Sequence, residues 1–242
     1  MSILKTEKLG RRFGGLLAVN EVDFAIERGE IVGIIGPNGA GKTTLINVIS
    51  GIYMPSAGAI SFEGRDVSYA PAHMRARMGI GRTFQIIHPL ANLNLIQNVM
   101  TGYLFCRRRT VRAARALAAE LCESLGLERL ERPVSQLTIL ETKKMEIARA
   151  LAADPEVLFL DEIMAGLNTD EMMEMIGEVK RLAKERDMAV GVVEHVMGVI
   201  SQLTERVIVL DAGEIIAAGP YSEVVRNTRV IQAYLGGDYA DA

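Results

Sequence analysis

Hydrophobic residues in this chain follow two rhythms that trade places along its length. Near the start, Val22, Phe24 and Ile26 alternate with other residues, the period-two pattern of a strand with one buried face. The next stretch, Glu30-Ile-Val-Gly-Ile-Ile35, is apolar without alternation and predicts a strand covered on both faces. A glycine-rich turn follows it, and Lys42-Thr-Thr-Leu-Ile-Asn-Val-Ile-Ser50 predicts a helix that Gly51 can close. Residues 59–63 read as another strand, and Pro71 predicts the opening of a short helix. From about residue 94 to residue 153 the pattern is helical, alanine-rich between Val111 and Leu121 and broken at Arg132-Pro133. Beyond Pro155, strands return at 157–160, 189–193 and 206–210, with a helix over 168–185 between the first two. Alternating strands and helices imply a parallel sheet covered by helices, here interrupted by the helical stretch.

Composition excludes several classes. With 242 residues, 49% hydrophobic and 24% charged, the chain is globular and can bury the core of one large domain, with or without a smaller lobe. No apolar run approaches the ~20 residues that span a bilayer. The start, Met1-Ser-Ile-Leu-Lys-Thr-Glu-Lys8, lacks the basic-then-apolar order of a secretory signal, so the expectation is a soluble, cytoplasmic chain. A net charge of −3 argues against bulk nucleic-acid binding. The basic run Arg107-Arg-Arg-Thr-Val-Arg112 reads as the solvated start of a helix, with a docking surface for acidic partners or lipid headgroups as the less common alternative. Cys106 and Cys122 are too far apart for a CxxC site and have no nearby histidine; two reduced thiols are expected.

The chemistry concentrates at two strand tips. Gly36-Pro-Asn-Gly-Ala-Gly-Lys-Thr43 fits G-x-x-x-x-G-K-[ST] and leaves a buried strand to enter a helix, as a phosphate-binding loop must. Its glycines let successive backbone N–H groups curl inward at anionic oxygens, and the helix start adds its positive dipole end. Lys42 is then expected at the β- and γ-phosphates and the Thr43 hydroxyl on Mg²⁺. The other tip, Val157-Leu-Phe-Leu-Asp-Glu162, ends in two acids: Asp161 suits the metal through water, and Glu162 suits a general base acting on the attacking water.

In order and spacing the chain resembles the ABC ATPase family along nearly its whole length. Thr83-Phe-Gln85 resembles that family's glutamine loop, which implies Gln85 at Mg²⁺ and at the joint with the helical insertion. Glu194-His195 resembles its switch histidine, which contacts the γ-phosphate, and Phe13 sits where the family stacks an aromatic ring on adenine. Alone, each has a bland alternative: Phe13 as core, His195 as a strand-end residue, Gln85 as surface. The resemblance implies an α/β fold: a P-loop (RecA-like) core with an N-terminal antiparallel β subdomain (together 1–88 and 155–242) and an inserted helical subdomain (89–154). It implies ATP and Mg²⁺ as cofactors, with Phe13, Gly36, Asn38, Gly39, Ala40, Gly41, Lys42, Thr43 and Thr44 on the nucleotide. Glu162, His195, Gln85 and Lys42 become catalytic, and Thr43, Gln85 and Asp161 face the metal.

Family members act as head-to-tail dimers, with ATP between one chain's P-loop and the other's L-S-G-G-Q motif. Here the matching stretch is Leu137-Thr-Ile-Leu-Glu141, a departure. Thr138 with Glu141 is still a capping box, so a helix is expected to start there and offer Thr138 to the nucleotide in trans. Leu140 stands where a glycine permits close approach, and Asn168 where many members carry Asp. Within the family, Arg11-Arg-Phe-Gly-Gly-Leu-Leu-Ala-Val-Asn20, Arg75-Ala-Arg-Met-Gly-Ile-Gly-Arg-Thr-Phe-Gln85 and Val230-Ile-Gln-Ala-Tyr-Leu-Gly236 resemble cassettes of branched-chain amino-acid uptake systems. That implies transmembrane permease subunits, a second cassette, an external substrate-binding protein, a place on the cytoplasmic face of the membrane, and no nucleic acid. Lipopolysaccharide-export cassettes share some of these features. The same core motifs would also suit a soluble ABC ATPase acting on DNA or ribosomes, or a regulatory module without hydrolysis. Apolar residues of the 85–100 region, such as Leu90, Leu93 and Leu95, are expected either to dock a membrane subunit or to form lobe core.

Overall fold

The computed structural model describes residues 2–85 and 89–235. In chain order the elements are β1 (Ser2–Phe13), β2 (Leu16–Val22), β3 (Ala25–Glu27), β4 (Ile31–Ile35), α1 (Lys42–Ile49), β5 (Ala57–Phe62), β6 (Arg65–Asp66), α2 (Ala72–Met78) and β7 (Ile80–Arg82). Three helices follow, α3 (Leu95–Phe105), α4 (Val111–Ser124) and α5 (Ile139–Leu151). The chain then returns to alternation: β8 (Val157–Asp161), α6 (Thr169–Glu185), β9 (Ala189–Val193), α7 (Met197–Leu203), β10 (Arg206–Asp211), β11 (Glu214–Pro220), α8 (Tyr221–Val224) and α9 (Thr228–Leu235).

Two sheets result. An antiparallel one runs β2-β1-β5-β6 with β3 also on β1; a six-stranded one runs β11-β10-β4-β9-β8-β7, parallel except at the β10–β11 edge. Strand period two splits the burial of the parallel sheet. Leu158, Leu160, Val190 and Val192 face a core shared with α3 to α7, while Val157, Phe159, Ala189 and Val193 face a second core with α1 and the antiparallel sheet. All five residues of β8 and of β9 are buried, which explains why both are apolar except for Asp161 at the tip of β8.

Side chains set the helix starts of the lobe. Asn94 and Gln97 form a capping box on α3, Thr110 caps α4, and Thr138 and Glu141 form the expected box on α5. Because Thr110 takes the cap, Arg107, Arg108 and Arg109 lie in the α3–α4 connection rather than in the helix as expected. Leu95 is fully buried lobe core, which removes it from any docking surface; Leu90 is exposed. Gly236 lies outside the described residues, as do positions 86–88 in the 85–100 region.

One buried cation ties α1 in place. Arg75 has no solvent exposure and donates from Nε to the Ala70 carbonyl (2.8 Å), from one terminal nitrogen to those of Val48 (2.7 Å) and Ile49 (2.6 Å), and from the other to that of Ser68 (2.7 Å). It binds the last-turn carbonyls of α1, where the helix dipole favours a cation, and shares that of Val48 with the Gly51 amide (3.2 Å). Burial pushes the guanidinium down to about 10. Arg75→Met strands these buried acceptors and is expected to cost about 3 kcal/mol. Thermal unfolding should show a Tm lower by about 6–12 °C for a chain of this size.

Candidate functional site

Strands β4, β8 and β9 are adjacent, parallel and in register, so Ile34 pairs with Val193 and Val193 with Asp161. Everything that follows these strands therefore emerges at one edge, the usual ligand edge of a parallel sheet.

After β4 the chain bends through the glycine-rich loop. Gly36 sits at φ +148°, and a Cβ there would lie 2.1 Å from the Leu210 carbonyl oxygen; at Gly41, φ +101°, it would lie 2.3 Å from that of Ala18. Only glycine fits either position. Asn38 and Gly39 are exposed at the tip, whereas Ala40 is buried and anchored by its carbonyl to the Gly213 amide (3.0 Å). Helix α1 has no side-chain cap and no acid in its first turn, so the amides around Thr43 and Thr44 are left for an anion. Lys42 is buried and folds inward, its Nζ donating to the carbonyls of Gly36 (2.7 Å) and Pro37 (2.9 Å). Burial lowers its pKa, and the nearby carboxylates of Glu162 and Asp161 work against that.

Asp161 ends β8 fully buried. Its Oδ2 receives an Arg82 guanidinium N–H at 3.3 Å, its own amide donates to Thr83 Oγ1 at 3.2 Å, and its Oδ1 has no partner among the described residues. Burial raises its pKa, countered first by Arg82. Glu162, the next residue, turns into the left-handed region at φ +51° with its amide on the Val193 carbonyl (2.9 Å). Its carboxylate is held from two sides. His195 Nε2–H donates to one oxygen at 2.7 Å, and Gln85 Nε2–H to the other at 2.7 Å.

The structure thus brings together Glu162, His195 and Gln85, which lie far apart in sequence, beside Asp161 and Lys42. Phe13 and Thr138 stand apart from this group. Phe13 is not core: it is 37% exposed and meets Tyr53 edge-on at 5.1 Å between centroids, with the Arg11 guanidinium 4.5 Å over its ring. Thr138 hydrogen-bonds within its own helix start, to Glu141 and Thr142. Leu140 packs inward on the core that α5 shares with the parallel sheet, while Ile139 is 58% exposed, so of the two side chains Ile139 is the one on the surface. Sequence reasoning missed Arg82, Tyr53 and Arg11, because a lone arginine or tyrosine carries no motif.

A glycine loop between strand and uncapped helix, next to paired carboxylates on a buried strand tip, defines a P-loop nucleotide hydrolase. The family described as "ABC transporter" matches residues 19–165, and the chain belongs to it, as an ATP-hydrolysing cassette. A second description, "Branched-chain amino acid ATP-binding cassette transporter", matches residues 214–240. The chain is 34% identical to a high-affinity branched-chain amino acid transport ATP-binding protein of Pseudomonas aeruginosa, over 97% of this chain and 98% of that one. A Salmonella typhimurium protein of the same description is 36% identical over the same shares. A lipopolysaccharide export system ATP-binding protein of Haemophilus influenzae is 32% identical over 99% of both chains. Among solved structures, a nucleotide-free cassette of an ABC transporter superposes with a TM-score of 0.89 at 28% identity, over 98% of this chain and all of that one.

The loop geometry makes one substitution decisive. Gly36→Ala drives a Cβ into the Leu210 carbonyl and forces an L residue into a glycine-only conformation, a strain of about 1–3 kcal/mol. ATP affinity measured by titration calorimetry is expected to fall about tenfold or more; an unchanged affinity would contradict the loop's role.

Proposed function

We propose that this chain powers an importer for branched-chain or related amino acids, binding and hydrolysing ATP on behalf of membrane subunits. The observation that carries the hydrolytic part is the Glu162 carboxylate clamped between His195 and Gln85 beside the phosphate loop. In this reading Lys42 leaves the Gly36 and Pro37 carbonyls for the β- and γ-phosphates, and the loop amides from Gly36 to Thr44 cradle them. Glu162 holds the attacking water and takes its proton, and His195 steadies the γ-phosphate end. Phe13 offers its ring to adenine once Arg11 moves off it.

The residues present also fit Mg²⁺. Asp161 keeps a buried carboxylate oxygen without a partner, Thr43 adds a hydroxyl and Gln85 an amide oxygen, an all-oxygen set. Bound there, Mg²⁺ supplies neutralisation of phosphate charge.

Residues 89–154 act as a helical subdomain against a core made of 1–88 and 155–242. The cleft between them, about 290 Å³, is lined by Ile52, His73, Ala76, Phe84 and Ala153 and suits a cytoplasmic segment of a permease subunit. No helix among the described residues is long and apolar enough to cross a membrane. In our reading, docking of this kind holds the chain at the cytoplasmic face. A dimeric post-hydrolysis cassette with ADP and phosphate, 25% identical with a TM-score of 0.81 over 90% of this chain and 98% of that one, supports a paired arrangement. There Thr138 of this chain meets the other cassette's nucleotide, with exposed Ile139 where close backbone approach is needed. The partner in our reading is a different cassette, so the site on this chain's P-loop turns over and the opposite one is slower. The C-terminal match at 214–240 favours uptake over the export relative.

Two experiments test this. A Glu162→Gln pull-down with ATP from solubilised native membranes is expected to recover two dissimilar permease subunits and a second cassette; export components would overturn the uptake reading. Ile139→Gly should speed turnover at the slow site, read as a rise of up to about twofold in phosphate release. A fall instead would show that Ile139 aids the interface.

A further inference from the structure

Helix α5 does more than present its N-terminus. Lys143, only 7% exposed, sends its Nζ to the main-chain carbonyl of Glu162 at 3.3 Å. The same carbonyl receives the Ala165 amide at 3.3 Å. Glu162 sits at φ +51°, a conformation that residues with a Cβ disfavour and that must be imposed by its surroundings. The Val193 carbonyl fixes its amide at 2.9 Å, and Glu194, buried to 3% exposure, accepts the Met164 amide at 2.8 Å just beyond it. Lys143 supplies the remaining hold, from a different element. Burial lowers its pKa, countered first by Glu194, then by Glu162 and Glu146.

The next residue on that face of α5 points the same way. Glu146, one turn on and almost fully buried, pairs with Arg149 and faces the backbone amide of Phe84, the residue before Gln85. One helix face thus touches the backbone at Glu162, whose carboxylate is clamped, and beside Gln85, one of the two residues that clamp it. Thr138 lies five positions before Lys143, about 7.5 Å along a stiff helix.

We propose that Lys143 is a positioning residue for the base: it sets the left-handed turn that aims the Glu162 carboxylate, so the helical lobe orients this chain's own site through α5. This rests on the reading of Glu162 as general base, and the test separates the two. Lys143→Met and Lys143→Arg are compared with wild type in two measurements. Hydrogen exchange on the purified chain without nucleotide is expected to show the 163–165 amides opening about tenfold faster or more in Lys143→Met, and near wild type in Lys143→Arg. In the complex isolated with its membrane subunits, kcat should fall about tenfold or more for Lys143→Met while ATP affinity stays within about twofold, with Lys143→Arg restoring most of it. Unchanged exchange at 163–165 overturns the proposal, as does a loss of kcat matched by an equal loss of ATP affinity or not restored by arginine. If Glu162→Gln leaves turnover intact in the same complex, the general-base reading fails, whereas the exchange result still decides whether Lys143 holds the turn.

Discussion

Register between three parallel strands is the constraint on which the site depends. Because β4, β9 and β8 run side by side with Ile34 opposite Val193 and Val193 opposite Asp161, the phosphate loop, the acid pair and His195 emerge at one edge within reach of one another. A slip of one residue would turn Asp161 to the opposite face and bury Glu162. The two apolar cores, one on each face of the sheet, hold that register, since each strand sends alternate side chains into both. The geometry of the site is thus a consequence of packing.

Much of this was legible in the sequence, for physical reasons. Strands buried on both faces are apolar except at their ends, so β4, β8, β9 and β10 stood out, as did the helices with polar capping residues at 94, 138 and 168. The antiparallel sheet was harder to read. Strand β1 is twelve residues long but irregular, with register shifts against β2 between Leu9 and Arg12 and a left-handed Lys8, so its period of two is broken. Strand β11 is an edge strand, mostly partly buried or exposed, and gives no apolar run. Strand β7 is three residues long, below what periodicity can register.

At the site, the phosphate loop and acid pair were legible because their chemistry demands fixed residue types at fixed spacing. The contacts among them were not. That Gln85 and His195 share one carboxylate, 77 and 33 residues away in sequence, follows only from the fold. The altered Leu137–Glu141 stretch shows the same limit. Sequence singled out Leu140, but the helix turns Leu140 into the lobe and Ile139 outward, a distinction that depends on which face of α5 is covered.

The most direct test of the account is phosphate release by the complex of this chain with its membrane subunits, wild type against Glu162→Gln, with ATP affinity measured in parallel. The account predicts turnover lower by about a hundredfold or more at essentially unchanged affinity, the loss expected when a general base is removed. Turnover that survives the substitution would contradict it and move the base elsewhere.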